Sequence, residues 1–265
     1  MSKSKKVWIT GGGSGIGRSI ALALAHRGDT VVISGRNAEK LDDVVKEFEA
    51  SNSGSGELFG LPFDVSREEQ IEAITAKLSD KIDGLDIAIL SAGVCEYVDN
   101  VELESSLFRR VFDANVFGVV NSTQVALPLM KVRQKNCSEK PHLVAISSIS
   151  TYTGLPRASA YGASKAAVDY FCDSLSIDLG IQGIDVSVIQ PGFIDTPMTS
   201  QNDFPMPFQM SAEQAAQRII KAIDSRKRLY RFPKRLLWLM RVPRSIPFIW
   251  YRFVAPAMVK NTGRR

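Results

Sequence analysis

Tyr161 and Lys165 bound the run Tyr-Gly-Ala-Ser-Lys, and Ser148 stands thirteen residues before the tyrosine. Four residues apart on a helix, a phenol and an ammonium share one face, one turn from each other. A free phenol has a pKa near ~10 and moves protons poorly at neutral pH. A neighbouring cation favours the phenolate and brings the pKa toward the working range, where the group can act as acid or base. A lone YxxxK is too short to carry that reading, because a half-buried aromatic above a solvated lysine gives the same pattern. It gains meaning only if other elements build a site around it.

The first such element is near the N-terminus. Val7-Trp8-Ile9-Thr10 reads as a short buried strand, Gly11 to Gly17 as a turn with five glycines in seven residues, and Ile20 to Ala25 as an apolar helix ending at Gly28. Backbone N–H groups of such a turn approach a phosphate closely at the positive end of the helix. Gly12 to Ser19 nearly fits the phosphate-loop pattern GxxxxGK[ST], but Arg18 stands where the lysine belongs. GxGxxG is absent as well; the spacing present is TGxxxGxG, Thr10 to Gly17. The second strand, Thr30 to Gly35, leads into Arg36-Asn37 with no acid at its end. An acid there would hold an adenosine ribose hydroxyl, whereas a guanidinium suits the 2′-phosphate of NADP, with NAD as the alternative.

The remaining elements alternate. A polar helix over Ala38–Ala50, a Ser/Gly loop over 51–56, and a strand from Leu58 to Phe63 lead to Asp64-Val65. Asp64 suits an adenine-edge contact or a helix cap equally. Further strands are expected at Leu85–Leu90 (ending in Ser91-Ala92-Gly93), His142–Ile146, Ile184–Gln190 (broken by Pro191-Gly192) and Arg228–Phe232. A long helix is expected over Glu104–Arg133, with Asn115 inside it and Pro128 kinking or shortening it. The helix carrying Tyr161 and Lys165 is expected over Ala158–Leu179, stopped by Gly180. A helix capped by Ser211 reaches about Asp224. This alternation predicts an α/β chain with a doubly wound parallel sheet covered on both faces, three layers in all.

Taken together these residues resemble the short-chain dehydrogenase/reductase family over nearly the whole chain: TGGGSGIG at Thr10–Gly17, Asn115, Ser148, YGASK at Tyr161–Lys165 and Pro191-Gly192-Phe193-Ile194-Asp195-Thr196. The resemblance implies a Rossmann fold and hydride transfer between nicotinamide and a ketone or secondary alcohol. It makes Tyr161 the proton donor or base, Lys165 the group that tunes it and holds the nicotinamide ribose, and Ser148 the partner of the carbonyl oxygen. Asn115 would position a water that links Lys165 to solvent. Thr196 and the Ile194 backbone would hold the carboxamide, with further cofactor contacts from Gly11, Gly13, Ser14, Gly15, Ile16, Gly17, Arg36, Asp64, Val65, Ala92, Gly93, Pro191 and Gly192. Ser34-Gly35-Arg36 looks like the NADP-preferring pattern. Leu90-Ser91-Ala92-Gly93 departs from the family's Asn-Asn-Ala-Gly. The C-terminus also lacks the ending common in tetrameric members, so a homodimer through helices near 105–130 and 158–180 is the expectation.

With 265 residues, 45% of them hydrophobic and 23% charged, the chain has ordinary globular composition. Cys95, Cys137 and Cys172 form no CxxC pair and only two histidines are present, so no metal site is expected and a reducing cytoplasmic setting is. The net charge of +5 is unevenly spread: residues 226–265 hold twelve Lys/Arg and no acid, leaving 21 basic against 28 acidic side chains in the first 225.

The division expected is a catalytic Rossmann unit over 1–232 and a basic, aromatic extension over 233–265. Phe193 to Met210, rich in Phe, Pro and Met and without a period, reads as a lid over a greasy substrate or as simple packing. Residues 226–265 hold seven aromatics, and the extension is broken by Pro243, Pro247 and Pro256. It is too interrupted to span a bilayer, which takes about 20 apolar residues. It suits closure of the substrate pocket, contact with an anionic membrane surface, or both. The charge also fits nucleic acid, but no binding module is recognised. The function expected is therefore NADP(H)-dependent reduction of an apolar or lipid-like ketone. The alternatives are an NAD-dependent alcohol dehydrogenase and a catalytically silent nucleotide-binding or membrane scaffold.

Overall fold

The computed structural model describes residues 4–51, 55–98 and 102–258, so 52–54 of the expected Ser/Gly loop and 259–265 of the basic extension lie outside the described residues. In chain order the strands are β1 (Lys6–Thr10), β2 (Thr30–Gly35), β3 (Glu57–Pro62), β4 (Ile87–Leu90), β5 (His142–Ile146), β6 (Asp185–Pro191), β7 (Ile194–Asp195), β8 (Met210–Ser211) and β9 (Leu229–Phe232). The main helices are α1 (Gly15–Arg27), α2 (Ala38–Ala50), α3 (Ile71–Lys81), α4 (Ser105–Phe112), α5 (Gly118–Asn136), α6 (Ser159–Ile181), α7 (Ala212–Asp224) and α8 (Lys234–Ser245).

Seven strands form one sheet in the order β3-β2-β1-β4-β5-β6-β9, every pairing parallel. Successive side chains on a strand point to opposite faces, and the sequence supplies apolar residues at both parities. Val7, Ile9, Val31 and Ile33 pack with residues of α1, α2 and α7, while Trp8, Val32, Ala88 and Leu90 pack with α3, α5 and α6. The result is a three-layer, doubly wound Rossmann sheet. Between β1 and β4 the winding reverses, which opens a crevice beyond their carboxyl ends; ligands of such sheets bind there.

Four expectations are corrected. The helix expected over 104–133 is α4, a π turn over Asp113–Phe117 and then α5, which runs through Pro128 to Asn136. Pro128 and Gln124, whose carbonyl loses its partner, are both exposed, so water can satisfy what the proline removes. The helix of Tyr161 passes Gly180 and ends at Ile181; the left-handed residue is Gly183 (φ 74°), with the N–H of Ile184 closing on the Leu179 carbonyl at 2.9 Å. β4 begins at Ile87, two residues later than expected. The run from Phe193 to Met210 is not wholly irregular, because β7 and β8 pair in parallel and pin its two ends together.

Beyond β9, α8 buries Leu236 and Met240, one turn apart, against Ile149 in a third apolar cluster. A second helical stretch follows through Pro247–Ile249, a π turn over Trp250–Val254 and Ala255–Met258. Among the described residues, no helix is long and apolar enough to cross a membrane, and no group of three metal-ligating side chains occurs.

Candidate active site

The glycine turn joins β1 to α1 at the crevice. Gly11 sits at φ 70°, and a β-carbon there would stand 2.8 Å from the backbone of Ala92. One on Gly17 would stand 2.3 Å from the Gly11 carbonyl oxygen. Only glycine permits this fold-back of helix onto turn and of turn onto the end of β4. The turn is fastened by Gly12 N–H donating to the Ser34 carbonyl (3.0 Å), and Ala92 N–H donates to Thr10 Oγ1 (3.3 Å). Ser91, the residue that departs from the family pattern, is thus flanked by an anchor that does not depend on it. Ser14 is the N-cap of α1 but makes no side-chain cap bond, and the first turn holds no acid. An uncapped helix start behind a glycine cradle is a ready anion site. Arg18, the residue that spoils the phosphate-loop pattern, pairs with Glu47 on α2 instead.

Arg36 is exposed immediately after β2, and Asn37 caps α2 through the Lys40 N–H at 3.0 Å. Lys40 itself is the residue that sequence reasoning missed. A β-carbon on Gly13 would lie 3.3 Å from the Lys40 β-carbon, so a second exposed cation flanks the turn. Its position in the first turn after β2 was the available signal. Asp64 uses Oδ1 to accept from Ser66 N–H (3.1 Å) and Oγ (2.7 Å), which closes a local turn; it caps no helix, because the next helical turn starts at Glu68 with Arg67 at its N-cap and no side-chain cap bond. Val65 is buried and its carbonyl accepts at 2.9 Å from Nδ2 of Asn121, a buried residue also not singled out from sequence. Ile16 packs partly buried against the first apolar cluster.

On the other side of the crevice, Thr196 lies over the start of α1, its methyl 3.1 Å from where a Gly15 β-carbon would be. Its N–H donates to Thr199 Oγ1 at 3.0 Å, and Thr199 Oγ1 donates to the Ile194 carbonyl at 2.5 Å. Thr199 therefore holds both expected carboxamide contacts in place. Pro191 is the last residue of β6, and Gly192 N–H donates to the Phe232 carbonyl at 2.8 Å.

Tyr161 and Lys165 lie one turn apart on α6, with Lys165 Nζ 6.0 Å from the phenol ring centre. The lysine is buried and donates to the Ile146 carbonyl at 2.9 Å. A β-carbon on Gly93 would stand 3.4 Å from Nζ and 3.0 Å from Asn115 Oδ1, so these three residues meet at the end of β4. Asn115 sits in the π turn; Nδ2 donates to the Val94 carbonyl and to Ser164 Oγ, both at 2.9 Å, and Oδ1 accepts from Val94 N–H at 2.8 Å. Both of its N–H donors are spent on the scaffold. A water linking Lys165 to solvent would have to use its carbonyl groups. Ser148 caps a short 3-10 turn by accepting from Ser150 N–H at 3.1 Å and faces the same cavity as Tyr161.

Burial governs the electrostatics. Desolvation and the neighbouring Cys95 hold the Tyr161 phenol above its ordinary range, against a lowering by Ser148. Desolvation brings Lys165 down to about 8, with Asp169 one turn further along opposing the fall. The expectation is that the neighbouring ammonium pulls the phenol down toward the working range; in the free protein burial outweighs any such pull. Tyr161 keeps its proton at neutral pH, the form that can donate to a carbonyl, and Lys165 is charged below about pH 8.

A cavity of about 790 Å³ opens from Tyr161 and Ser148, and Phe193, Met198, Phe204, Leu236, Met240 and Trp250 are among its walls. Tyr97 donates to Asn202 at 2.8 Å and stacks edge-on with Phe204, tying the 193–210 run to the loop after β4. Among the described lining residues the one charged group, Arg157, is paired with Asp203 at 2.8 Å. Ser148 and Tyr161 thus stand at one side of a chamber whose remaining walls are mostly apolar.

The model of the family described as short chain dehydrogenase matches residues 5–205. The chain is a short-chain dehydrogenase/reductase. As a member of that family it is an oxidoreductase acting at a CH–OH/C=O centre. A protein of Myxococcus xanthus named an uncharacterized oxidoreductase is 33% identical over 240 residues, 90% of this chain and 91% of its own. A 3beta-hydroxysteroid dehydrogenase of Mediterraneibacter gnavus is 34% identical over 214 residues, 80% of this chain and 74% of its own. Among solved structures, a short-chain type dehydrogenase/reductase from Mycobacterium ulcerans superposes with a TM-score of 0.74 at 29% identity, over 83% of each chain. One from Burkholderia phymatum, in complex with NAD, reaches 0.82 over 93% of this chain and 95% of its own; at 23% identity it speaks for the fold alone.

Proposed function

We infer that the protein is an NADP(H)-dependent oxidoreductase that interconverts an apolar ketone and its secondary alcohol. The observation that carries this is the chamber itself: Ser148 and a protonated Tyr161 share it, and apolar side chains make up most of the other walls. A nicotinamide cofactor, its phosphates held at the glycine cradle, would supply or take the hydride. The protein's residues do the remainder. Ser148 donates to the carbonyl oxygen as negative charge builds on it, and Tyr161 delivers the proton. Lys165, held by the Ile146 carbonyl, keeps a positive charge beside the phenol. Arg36 and Lys40 support the choice of NADP, since two cations flank the place of an adenosine 2′-phosphate. The steroid-acting relative supports a bulky apolar substrate. Phe193 to Met210 would close over that substrate as a lid.

Phe117, Tyr170, Ile177 and Ile181 expose apolar surface on the helices expected to pair, which supports a homodimer. Three free thiols support a cytoplasmic setting, and the basic extension supports peripheral contact with an anionic membrane. Fluorescence titration with NADPH and with NADH tests the cofactor. Tighter NADH binding that survives Arg36→Ala would refute the NADP assignment. A screen of ketones with Tyr161→Phe as control tests the reaction, and absence of turnover on every ketone would favour the silent scaffold.

A further inference from the structure

The cavity and the outer surface of the extension share residues. Trp238 and Leu239 on α8, with Ile249 and Val254 on the stretch that follows, line the chamber. The same four residues are 71%, 51%, 41% and 42% exposed. The chamber therefore opens to the outside between side chains that are themselves apolar and wet. Around this mouth Phe248 and Phe253, in edge-on contact at 6.1 Å, are 71% and 61% exposed without lining the cavity. So many large exposed apolar side chains on two adjacent helices mark a surface that meets something other than water.

Charge says what that is. Lys234, Arg235, Arg241 and Arg252 are exposed on the same elements. On α8 the spacing 234, 238, 241 and 235, 239 puts cations and mouth residues on shared helix faces. Four earlier basic residues of the C-terminal run are committed to the body: Arg226 to Asp185 and Glu139, Arg228 to Asp173, Arg231 to Gln190, and Lys227 over the Tyr230 ring. From Lys234 on, no acidic residue follows to pair with the cations. Aromatic and cationic groups mixed on one exposed face suit the headgroup layer of an anionic bilayer. A second copy of this chain fits poorly, because it would set one cationic patch against another. The first 225 residues, with 28 acidic against 21 basic side chains, would be repelled from the same bilayer, so the molecule is oriented with its mouth down.

We propose that this face docks on anionic lipid and that the apolar substrate passes from the bilayer into the chamber through the Trp238–Leu239–Ile249–Val254 mouth, without crossing water. The proposal rests on the apolar-ketone reading for the identity of what enters. It explains why the mouth is greasy on both sides: seated on lipid, the exposed halves of the four residues leave water and the chamber becomes continuous with the acyl layer. Carrying an alkyl chain through water is penalised with each methylene, and a seated mouth avoids it.

The test uses the full chain, vesicles of phosphatidylcholine with and without phosphatidylserine, a long-chain ketone dissolved in the vesicles, and a short water-soluble ketone. Flotation should occur with the anionic vesicles, and each of the four cations changed to glutamine should weaken it by about fivefold. Brominated acyl chains should quench Trp238, a readout that needs no turnover. Turnover of the vesicle-held ketone should rise about tenfold or more when phosphatidylserine is present, while the soluble ketone shows no such gain. The variant Phe248→Ser/Phe253→Ser, which alters neither the chamber nor the catalytic groups, should lose flotation, quenching and the vesicle gain together and keep its rate on the soluble ketone. Turnover of the soluble ketone with no flotation, or flotation without quenching or without the gain, overturns the proposal. So does a self-association that the double variant abolishes, because the patch then belongs to a second copy. If neither ketone reacts, the apolar-ketone reading fails, while flotation and quenching still decide the docking.

Discussion

Trp250 donates its indole N–H to the main-chain carbonyl of Gly154 at 3.0 Å. The bond ties the helical extension to the loop that follows Ser148, so two walls of the chamber are fastened to each other. Phenylalanine at 250 would keep the bulk and lose the bond, which is worth about 1 kcal/mol net. For a chain of this size we expect Trp250→Phe to lower the thermal midpoint by about 2–4 °C. KM for an apolar ketone should rise more than kcat falls. Calorimetry and steady-state kinetics with both parameters unchanged would remove this tie from the account.

Tyr161 is the expected proton donor of the chamber. Tyr161→Phe should lower kcat by about 10²–10⁴-fold and leave NADPH affinity within a small factor of the parent. A comparable loss of cofactor affinity would mean that the phenol serves binding rather than proton transfer.

The lysine sets a pH dependence. Its charge is complete well below pH 8 and disappears as pH rises through about 8, while the phenol stays protonated throughout that range. Ketone reduction should therefore fall on the alkaline side of about pH 8. In Lys165→Arg the charge persists, so a slower enzyme without that alkaline limb is expected from kcat/KM profiles.

Two cations flank the expected 2′-phosphate position. Arg36→Ala should weaken NADPH by about 10–100-fold, as loss of a charge-assisted contact does, and leave NADH nearly unchanged. Lys40→Ala should act in the same direction. Equal losses for both cofactors in fluorescence titrations would place these side chains elsewhere in binding.

His142 is buried on β5 with Nε2 2.6 Å from Ser187 Oγ, and desolvation with Arg226 nearby lowers its pKa to about 4. The unfolded chain takes up a proton at about 6.5, the folded one only near 4. The histidine's contribution is therefore complete above about pH 6.5 and is lost progressively as pH falls toward 4, on the order of 3 kcal/mol in all. Urea titrations across this window should show a shallower loss in His142→Gln, whatever its stability at neutral pH. An identical slope would show that other groups dominate.

Local patterns were legible in the sequence. Five glycines in seven residues forced the turn after β1, since no other residue tolerates a backbone oxygen 2.3 Å from its β-carbon position. Apolar strands alternating with helices specified a parallel sheet, and Tyr161 and Lys165 had to share a helix face because the helical period makes them neighbours. The helix ends were less legible. Gly180 looked like a stop and was not, because a helix ends where the backbone turns left-handed, here at Gly183, and not wherever a glycine occurs.

What the sequence determined by itself is thus the fold and the chemical types at the site: a glycine cradle, a phenol, a lysine and a serine, each fixed by short-range spacing. Tertiary structure decided the rest, because it depends on what lies nearby in space but far apart in the chain. Lys40 reaches the turn through the packing of α2. Thr199 steadies Thr196 and Ile194 through a loop whose ends meet only because β7 pairs with β8. The YxxxK motif placed a cation beside a phenol, but burial decided their charge states, raising one pKa and lowering the other. Burial depends on the whole surrounding shell, and no spacing along one helix encodes it.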